Sequence, residues 1–282
     1  MSEFKRGITK KDFIDKLNIL NAERSSYWHK MVKDKDLFIA IRNEYISVYY
    51  RGNSICELHF ENSKIVGRTH YKYLLCPDLN EYIKSSDGIF LLKNPAKKFI
   101  ASLNDLNSIK KSSLVYSGEE KTGVHSISIK EKNILDVEIT FSKLDSKTDR
   151  LDYIKIEEDN EKLKLVFYEA KHFTNSEIRA KSTPRVLGQI EKYKKALEEH
   201  KTEIIKSYKI VCKNLQELNL IKPHHDNYIK RISDGENVSI DYSPKLIVFG
   251  FDQDQKDGNI WKKHHEKLQD TLKDRLKIKG NV

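Results

Sequence analysis

Two segments in the middle of the chain are rich in apolar and aromatic side chains and look like β-strands. They cover residues 150–157 and 163–171, and the polar stretch 158–162 lies between them. Short runs of this composition are typical of β-strands, and a short polar spacer between two such strands favours a hairpin. The sequence therefore predicts that the two segments pair as antiparallel neighbours in a sheet.

The register of this hairpin decides which side chains share a face of the sheet. If Asn160 and Glu161 form a two-residue turn, antiparallel pairing sets Asp152 opposite Glu169. A slip of one residue would place these two carboxylates on opposite faces. We therefore expect an apolar face that ends in two adjacent carboxylates. The other pairs expected from this register are Ile154 with Phe167, Ile156 with Leu165, Tyr153 with Tyr168, and Glu157 with Lys164.

An amphipathic helix is expected after the hairpin. Thr183 is a suitable N-cap, and Pro184 suits the first helical position. Gln189 and Tyr193 are four residues apart, so both lie on one side of the helix. Packed against the hairpin, that side can reach a bound substrate or position Lys171. Apolar side chains recur at helical spacing as a stripe that we expect to be buried, namely Val186, Ile190, Tyr193 and Leu197.

The C-terminal part of the chain continues with a polar insertion, a strand and a helix. Residues 201–243 form the polar insertion, and the apolar run 245–251 after Pro244 is typical of a late buried strand in the same sheet. We expect the final helix to dock on the core, with a dimer contact as the alternative. Its side chains at helical spacing are Trp261, His264 or His265, Leu268, Leu272 and Leu276.

The N-terminal third has a pattern of its own. A helical stretch over residues 9–24 precedes three short apolar runs at 37–42, 45–50 and 54–60, with turn residues between the runs. Short strands joined by turns favour an antiparallel meander. The mixed elements predict an α/β protein of the α+β kind. We expect a smaller N-terminal domain that contains the meander, over residues 1–114, and a larger domain over residues 115–282.

Composition narrows the classes of partner. The 282 residues carry a formal net charge of +10 and have a pI near 9.2, which favours a polyanion such as nucleic acid. The first residues lack the apolar core of a signal peptide, and no stretch approaches the roughly 20 apolar residues that span a bilayer. We therefore expect a cytoplasmic protein with no membrane partner. Cys56, Cys76 and Cys212 are few, odd in number and far apart, so neither a disulfide framework nor a Cys-type zinc site is indicated.

Asp152, Glu169 and Lys171 carry the chemistry that the hairpin brings together. Two carboxylates can hold a divalent cation, which lowers the pKa of bound water and neutralises charge on phosphate oxygens. Ligation by oxygen alone suits Mg²⁺ or Mn²⁺ better than zinc. Lys171 follows Glu169 by two residues on one strand, so both side chains project from the same face. The lysine can orient an attacking water or stabilise a pentavalent transition state, and the residues together predict metal-dependent cleavage of a phosphodiester.

The order of these residues resembles a known nuclease pattern. An Asp, a Glu-x-Lys triplet on the next strand and a Gln-x-x-x-Tyr pair on the following helix occur at Asp152, Glu169 with Lys171, and Gln189 with Tyr193. This series resembles the PD-(D/E)xK nuclease superfamily, specifically its RecB-type branch. The resemblance covers roughly residues 115–255. It implies a restriction-endonuclease-like fold, in which a mixed sheet is flanked by helices.

The resemblance also implies a role for each residue of the series. By position, Asp152, Glu169 and the carbonyl of Ala170 would hold Mg²⁺ or Mn²⁺. Lys171 would be the catalytic cation. The remaining residues of the implied site, Gln189 and Tyr193, would be a supporting pair on the helix.

The family pattern often includes one further acidic residue, and this chain departs from the pattern at one position. Members of the superfamily often have an upstream acidic residue, for which Glu138 is the first candidate and Glu119 or Glu120 the alternative. Leu151 stands where the family has a proline before the Asp. That proline serves turn geometry, so its replacement leaves the implied chemistry unchanged.

The expected activity is a Mg²⁺-dependent endonuclease that cuts double-stranded DNA in bacterial defence or DNA processing. Residues 115–282 would form the nuclease domain, and residues 1–114 an accessory or recognition domain. Two alternatives stay open: a catalytically silent nucleic-acid-binding regulatory module of the same fold, and a nuclease directed at RNA. The site residues do not separate these substrates, and the sequence is compatible with a homodimer or with partner proteins.

Overall fold

The computed structural model describes residues 4–92, 99–141, 150–180 and 182–282. The chain forms two compact units. We call Lys5–His125 with Tyr208–Pro223 the N-terminal unit, and Met1–Phe4, Ser126–Ser207 and His224–Val282 the C-terminal unit. The long first segment of the N-terminal unit therefore ends at His125, whereas the expected domain boundary followed residue 114, and Tyr208–Pro223 lies in this unit and not in the expected larger domain. The accessory and nuclease roles of the two parts stay predictions.

The N-terminal unit is built on a six-stranded sheet in which every strand pairs with its chain neighbour. The neighbouring strands are antiparallel throughout, so the sheet is a meander, as the alternating pattern of short strands and turns predicts. The strands are β1 (Phe38–Ile41), β2 (Tyr45–Tyr50), β3 (Asn53–Glu61), β4 (Lys64–His70), β5 (Tyr82–Ser86) and β6 (Ile89–Phe90), and the helices are α1 (Lys11–Ala22), α2 (Tyr27–Lys33) and α3 (Leu106–Ser113).

The core of this unit lies between its helices and the meander. The side chain of Ser26 caps α2, since its hydroxyl accepts a hydrogen bond from the backbone N–H of His29 at 3.1 Å. Apolar side chains of α1, α2 and the central strands are almost fully buried. They include Phe13, Leu17, Trp28, Met31, Ile46, Val48, Ile55 and Leu58.

The C-terminal unit contains a second sheet, and α4 (Glu119–Lys130) leads into it. Its strands are β7 (Ile134–Thr140), β8 (Arg150–Asp159), β9 (Lys162–His172), β10 (Val238–Ile240), β11 (Lys245–Phe249) and β12 (Leu276–Ile278). The strand order is β12, β11, β9, β8, β7, and β10 pairs with the first residues of β9. The pairs β7–β8 and β8–β9 are antiparallel, whereas β10 and β11 run parallel to β9, and β12 runs parallel to β11. The sheet is therefore mixed, and the protein belongs to the α/β class.

The hairpin of β8 and β9 has the predicted turn and register. Asn160 and Glu161 have φ values of 50° and 63°, as a type I′ two-residue turn requires at both central positions. The pair Asp159 with Lys162 closes the turn. All four cross-strand pairs expected beside the carboxylates are present: Tyr153 with Tyr168, Ile154 with Phe167, Ile156 with Leu165, and Glu157 with Lys164.

Side chains of β9 alternate between two faces of the sheet. We call the face of Phe167, Glu169 and Lys171 the front face, and the face of Tyr168 and Ala170 the back face. Two helices, α5 (Arg185–Glu199) and α9 (Asn259–Leu272), pack on the front face through one apolar cluster. That cluster includes Val186, Ile190, Leu246, Val248, Phe251, Trp261, Leu268 and Leu272. The final helix thus docks on the core, as expected.

Three local expectations were wrong. The polar insertion contains α6 (Lys201–Glu217), because Ile204, Tyr208, Val211, Cys212 and Leu215 recur at helical spacing and are buried. Pro184 rather than Thr183 is the N-cap of α5. Leu276 lies in β12 and not in the final helix. The remaining helices are α7 (Tyr228–Ser233) and α8 (Gln253–Asp257).

Within the residues that the structure describes, we find no helix with the length and apolar content needed to cross a bilayer.

Candidate functional site

Asp152 and Glu169 lie side by side at the open end of the hairpin. The paired residues of the hairpin end at Tyr153 with Tyr168, so the expected pair of Asp152 with Glu169 lies one step beyond the observed pairing. Its Oδ2 atom accepts a hydrogen bond of 2.7 Å from the backbone N–H of Ala170. Such a bond to a carboxylate is stronger than one between neutral groups, and it fixes Asp152 beside β9. The structure therefore brings together the two acids that the sequence pairs.

Glu169 is buried, with 2% of its surface exposed. Its Oε1 atom lies 2.8 Å from Nζ of Lys171. Its Oε2 atom is also buried, and no residue that the structure describes donates a hydrogen bond to it. An unsatisfied carboxylate oxygen in the interior costs free energy unless a cation or a donor reaches it. Glu169 thus offers an open ligand position on the front face.

Lys171 is held between two carboxylates. Its Nζ atom lies 2.8 Å from Oε1 of Glu169 and 2.8 Å from Oε2 of Glu177. Burial lowers the pKa of Lys171, but the adjacent Glu169 and Glu177 outweigh burial and hold that pKa above its usual value. Lys171 therefore stays an ammonium at neutral pH, which suits a positioned cation and does not suit a general base.

Glu177 is a site residue that sequence reasoning missed. It lies in a short 3₁₀ helix, Ser176–Ile178, directly after β9. The Oδ1 atom of Asn175 accepts a hydrogen bond of 2.8 Å from the backbone N–H of Glu177, and Ile178 is buried in the cluster on the front face. Asn175 is a recognisable cap for such a turn. That signal predicts the turn, but it does not indicate that the acid inside it faces Lys171.

Gln189 connects α5 to the 3₁₀ helix that carries Glu177, and Tyr193 connects α5 to the sheet. Nε2 of Gln189 donates a hydrogen bond of 3.3 Å to Oε1 of Glu177, so Gln189 acts on Lys171 through that carboxylate. Oε1 of Gln189 is buried and has no hydrogen-bond donor among the described residues. Tyr193 is 2% exposed, and its hydroxyl donates a hydrogen bond of 3.0 Å to the backbone carbonyl of Arg150. Tyr193 thus ties α5 to the start of β8.

Replacing Tyr193 by phenylalanine tests this positional role. The change removes the hydroxyl that reaches Arg150 and keeps the ring in the core, so we expect a loss of about 1 kcal/mol in the free energy of unfolding. We expect any nucleic-acid cleavage to change by no more than about threefold. Urea denaturation and steady-state kinetics of Tyr193→Phe measure the two effects. A loss of about a hundredfold in turnover with unchanged stability would instead place the hydroxyl in the chemistry.

Glu138 lies on β7, next to the strand of Asp152. The pairs Val137 with Tyr153 and Ile139 with Leu151 bracket it, which places Glu138 opposite Asp152. Its backbone is in the left-handed region, with φ of 50°, and its Oε1 atom lies 3.4 Å from Nη1 of Arg150. The other upstream candidates, Glu119 and Glu120, lie in the first turn of α4, in the part of α4 that belongs to the N-terminal unit.

The electrostatic balance of the site is negative. Three carboxyl groups, those of Asp152, Glu169 and Glu177, surround the ammonium of Lys171, so ionisation of all three would leave two negative charges uncompensated. Burial first, and then the charge of Asp152, raise the pKa of Glu169 well above its ordinary value. A divalent cation would remove this excess, and carboxylate oxygens are ligands that Mg²⁺ and Mn²⁺ prefer.

The residues present therefore fit a hard divalent cation. Asp152 and the open Oε2 atom of Glu169 supply side-chain oxygens. In the structure, the backbone N–H of Ala170 donates a hydrogen bond to Asp152. Ligation of a metal by the carbonyl of Ala170 stays a prediction. In the described part of the chain, no three His, Cys, Asp or Glu side chains are grouped so that they could hold a metal ion. The predicted set of metal ligands is of another kind than a group of three side chains, because it combines two side chains with a backbone oxygen.

The raised pKa of Glu169 has a consequence for stability. Because the folded protein binds this proton more tightly than the unfolded chain, the free energy of unfolding falls as the pH rises above the ordinary Glu value of 4.5. In EDTA, we expect Glu169→Gln to lack this part of the decline. Urea denaturation of both proteins across a pH series measures it. Parallel curves for the two proteins would show that ionisation of Glu169 does not lower the free energy of unfolding.

Comparison of the chain with protein-family models, with curated proteins and with solved structures gives no match.

Proposed function

We propose that this chain is a Mg²⁺-dependent nuclease, and that the sheet of its C-terminal unit has the restriction-endonuclease-like arrangement. One observation carries the proposal. The carboxylates of Asp152 and Glu169 and the ammonium of Lys171 meet on one face at the end of a hairpin, where a buried oxygen of Glu169 has no hydrogen-bond donor among the residues that the structure describes. Metal-assisted hydrolysis of a phosphodiester uses these types of group in one place.

Each residue of the site has a separate task in this proposal. Asp152 and Glu169 would hold the cation, with the carbonyl of Ala170 as a third ligand. When bound, Mg²⁺ lowers the pKa of water and neutralises charge on the phosphate oxygens. Lys171 donates hydrogen bonds to the phosphate or to the attacking water. Glu138 lies on β7 opposite Asp152 and remains the candidate for the upstream acid.

Glu177 has the task of keeping Lys171 in place. Glu169 contributes one oxygen to the ammonium, and a cation bound by Glu169 would compete with that contact. Glu177, whose Oε2 atom lies 2.8 Å from the ammonium and which accepts a hydrogen bond from Gln189 of α5, would remain as a partner of Lys171. Residues fixed in this way lose little entropy when the reaction begins, which is the advantage of a pre-organised site.

Replacing Glu177 by glutamine tests the positioning role. The amide keeps the shape of the side chain but loses the negative charge, so we expect turnover to fall by about tenfold to a hundredfold. We expect nucleic-acid affinity to stay unchanged and the pKa of Lys171 to fall, which would shift the alkaline limb of the rate profile to lower pH. Rates of Glu177→Gln across a pH series measure this. Glu198→Gln, an exposed change on α5, is the control; equal profiles for both variants would contradict the role.

The polyanionic substrate is favoured by charge, and DNA is favoured by the resemblance. The formal net charge of +10 attracts phosphate backbones irrespective of sequence. We propose double-stranded DNA as the substrate and bacterial defence or DNA processing as the setting.

Cleavage assays test the proposed function. Purified protein is incubated with labelled duplex DNA, single-stranded DNA and RNA of one sequence, in Mg²⁺, in Mn²⁺ and in EDTA. We expect cuts in duplex DNA that require the metal. Cleavage confined to RNA would replace DNA as the substrate. Binding of nucleic acid without cleavage in either metal would contradict the nuclease and favour a silent regulatory module.

A further inference from the structure

A second site lies on the back face of the same sheet. Side chains of β8, β9, β11 and β12, together with Glu131 and Lys279, line a cavity of about 400 Å³ there that is open to solvent. Cavities of several hundred Å³ are typical of sites for small molecules. Its charged lining consists of Lys155, Lys245, Lys277, Lys279, Glu131 and Glu157. None of these residues belongs to the front-face site.

The two glutamates hold three of the lysines in place around the cavity. Glu131 pairs with Lys279 and with Lys155, the latter at 3.2 Å. Glu157 pairs with Lys245 at 2.7 Å, and it also accepts a hydrogen bond from the hydroxyl of Tyr168. These contacts fix the ammonium groups before any ligand arrives.

Lys277 is the fourth lysine, and it has a different status. It lies on the edge strand β12, opposite Ile247 of β11. Within the described part of the chain it forms no ion pair, whereas the other three lysines each have a carboxylate partner. Its ammonium is therefore available to a ligand.

The charges of the lining do not cancel. Four ammonium groups face two carboxylates, so two positive charges remain, the opposite of the balance at the front-face site. Burial raises the pKa of Glu157, but hydrogen bonds from Lys245 and Tyr168 outweigh burial and hold that pKa below its usual value. Glu157 is therefore ionised at neutral pH and counts as one of the two negative charges in this balance.

The floor of the cavity is rigid and partly apolar. The rings of Tyr153 and Tyr168 stack with their centroids 4.7 Å apart, and both residues are at most 5% exposed. The ammonium of Lys245 lies 5.6 Å from the centroid of the Tyr168 ring, which is a favourable cation–π distance. These buried, stacked rings distinguish this face from a strand face whose side chains are simply exposed to solvent.

We propose that this back-face cavity binds a small phosphate-bearing anion. A phosphate monoester carries nearly two negative charges at neutral pH, which matches the excess of the lining. Lysine binds phosphate as a point charge and tolerates varied geometries, so Lys155, Lys245, Lys277 and Lys279 can share its oxygens. Inorganic phosphate and a nucleotide present the same group, and the proposal concerns that group.

Isothermal titration calorimetry at constant ionic strength tests the site. The probes are inorganic phosphate, AMP and adenosine, and the proteins are the full-length wild type, Lys277→Glu, Lys245→Gln and Lys263→Glu. The last variant is the control, since Lys263 is exposed on α9 and its replacement changes the charge by the same amount as Lys277→Glu. Melting temperatures show which variants are folded.

We expect saturable binding of a phosphate-bearing probe and no binding of adenosine. Lys277→Glu and Lys245→Gln should each weaken that binding at least about tenfold, and Lys263→Glu by less than about twofold. Tighter binding of AMP than of phosphate would identify a nucleotide site, and equal binding a phosphate site. The proposal is overturned if neither phosphate probe binds, or if a folded Lys277→Glu protein binds as the wild type does.

Discussion

The Lys171→Ala variant is expected to lose about a thousandfold or more in turnover while it retains most of its affinity for DNA. The ammonium is the group of the site that can donate to a phosphate oxygen in the transition state, and a thousandfold corresponds to about 4 kcal/mol. Binding depends on many basic residues over a larger surface, so it should change little. Single-turnover kinetics and fluorescence anisotropy measure the two quantities.

The same substitution leaves Glu169 and Glu177 without their shared cation, so folding needs its own check. Lys171→Gln keeps a hydrogen-bond donor between the two carboxylates and serves as the second variant if the alanine protein melts early. Lys164→Ala is the matched control, because Lys164 lies on the same strand, away from the site, and forms an ion pair with the exposed Asp159 at the turn. Equal cleavage by the wild type and a folded Lys171 variant would remove the catalytic assignment.

Asp152→Asn and Glu169→Gln are each expected to reduce metal-supported cleavage by about a thousandfold or more. Both changes keep the size of the side chain and remove a charge that the cation needs, so the loss falls on metal binding and on transition-state charge. In the absence of metal, Glu169→Gln should be at least as stable as the wild type at neutral pH, since it removes a buried carboxylate that lies beside Asp152. Cleavage rates over a range of Mg²⁺ concentrations and urea denaturation measure both effects.

Asp159, at the other end of the same hairpin, provides the control for these two substitutions. Asp159 closes the turn and pairs with Lys164 at the surface, so Asp159→Asn alters the charge equally and leaves the front face intact. We expect its cleavage rate to equal that of the wild type. Wild-type rates in Asp152→Asn or Glu169→Gln would show that the carboxylates do not serve the reaction.

The hairpin could be predicted from sequence because its determinants are local. Side chains of a strand alternate between its two faces, so the sequence of each strand decides which residues share a face. The length of the polar spacer favours a two-residue turn at Asn160 and Glu161. Asp152, Glu169 and Lys171 then converge without any knowledge of the rest of the chain. The pattern of α5 is equally local, and so is the apolar run that becomes β11.

Other parts of the fold depend on partners that are distant in sequence. β10 and β12 are three residues each, too short for a period to be recognised, and only their pairing with β9 and β11 makes them strands. The helix α6 was not predicted from the sequence, because its apolar side chains are spread through a charged segment. Glu177 has no sequence signal beyond its Asn175 cap, since its role comes from the approach of Gln189 and Lys171 in space.

Calorimetric titration of the metal-free protein with Mn²⁺ examines the cation site without reference to any substrate. We predict saturable binding of Mn²⁺ to the wild type and to Asp159→Asn, and its loss in both Asp152→Asn and Glu169→Gln. If Mn²⁺ does not bind the wild type, or binds the two site variants as tightly as it binds the wild type, then Asp152 and Glu169 do not hold a divalent cation and the proposed nuclease mechanism fails.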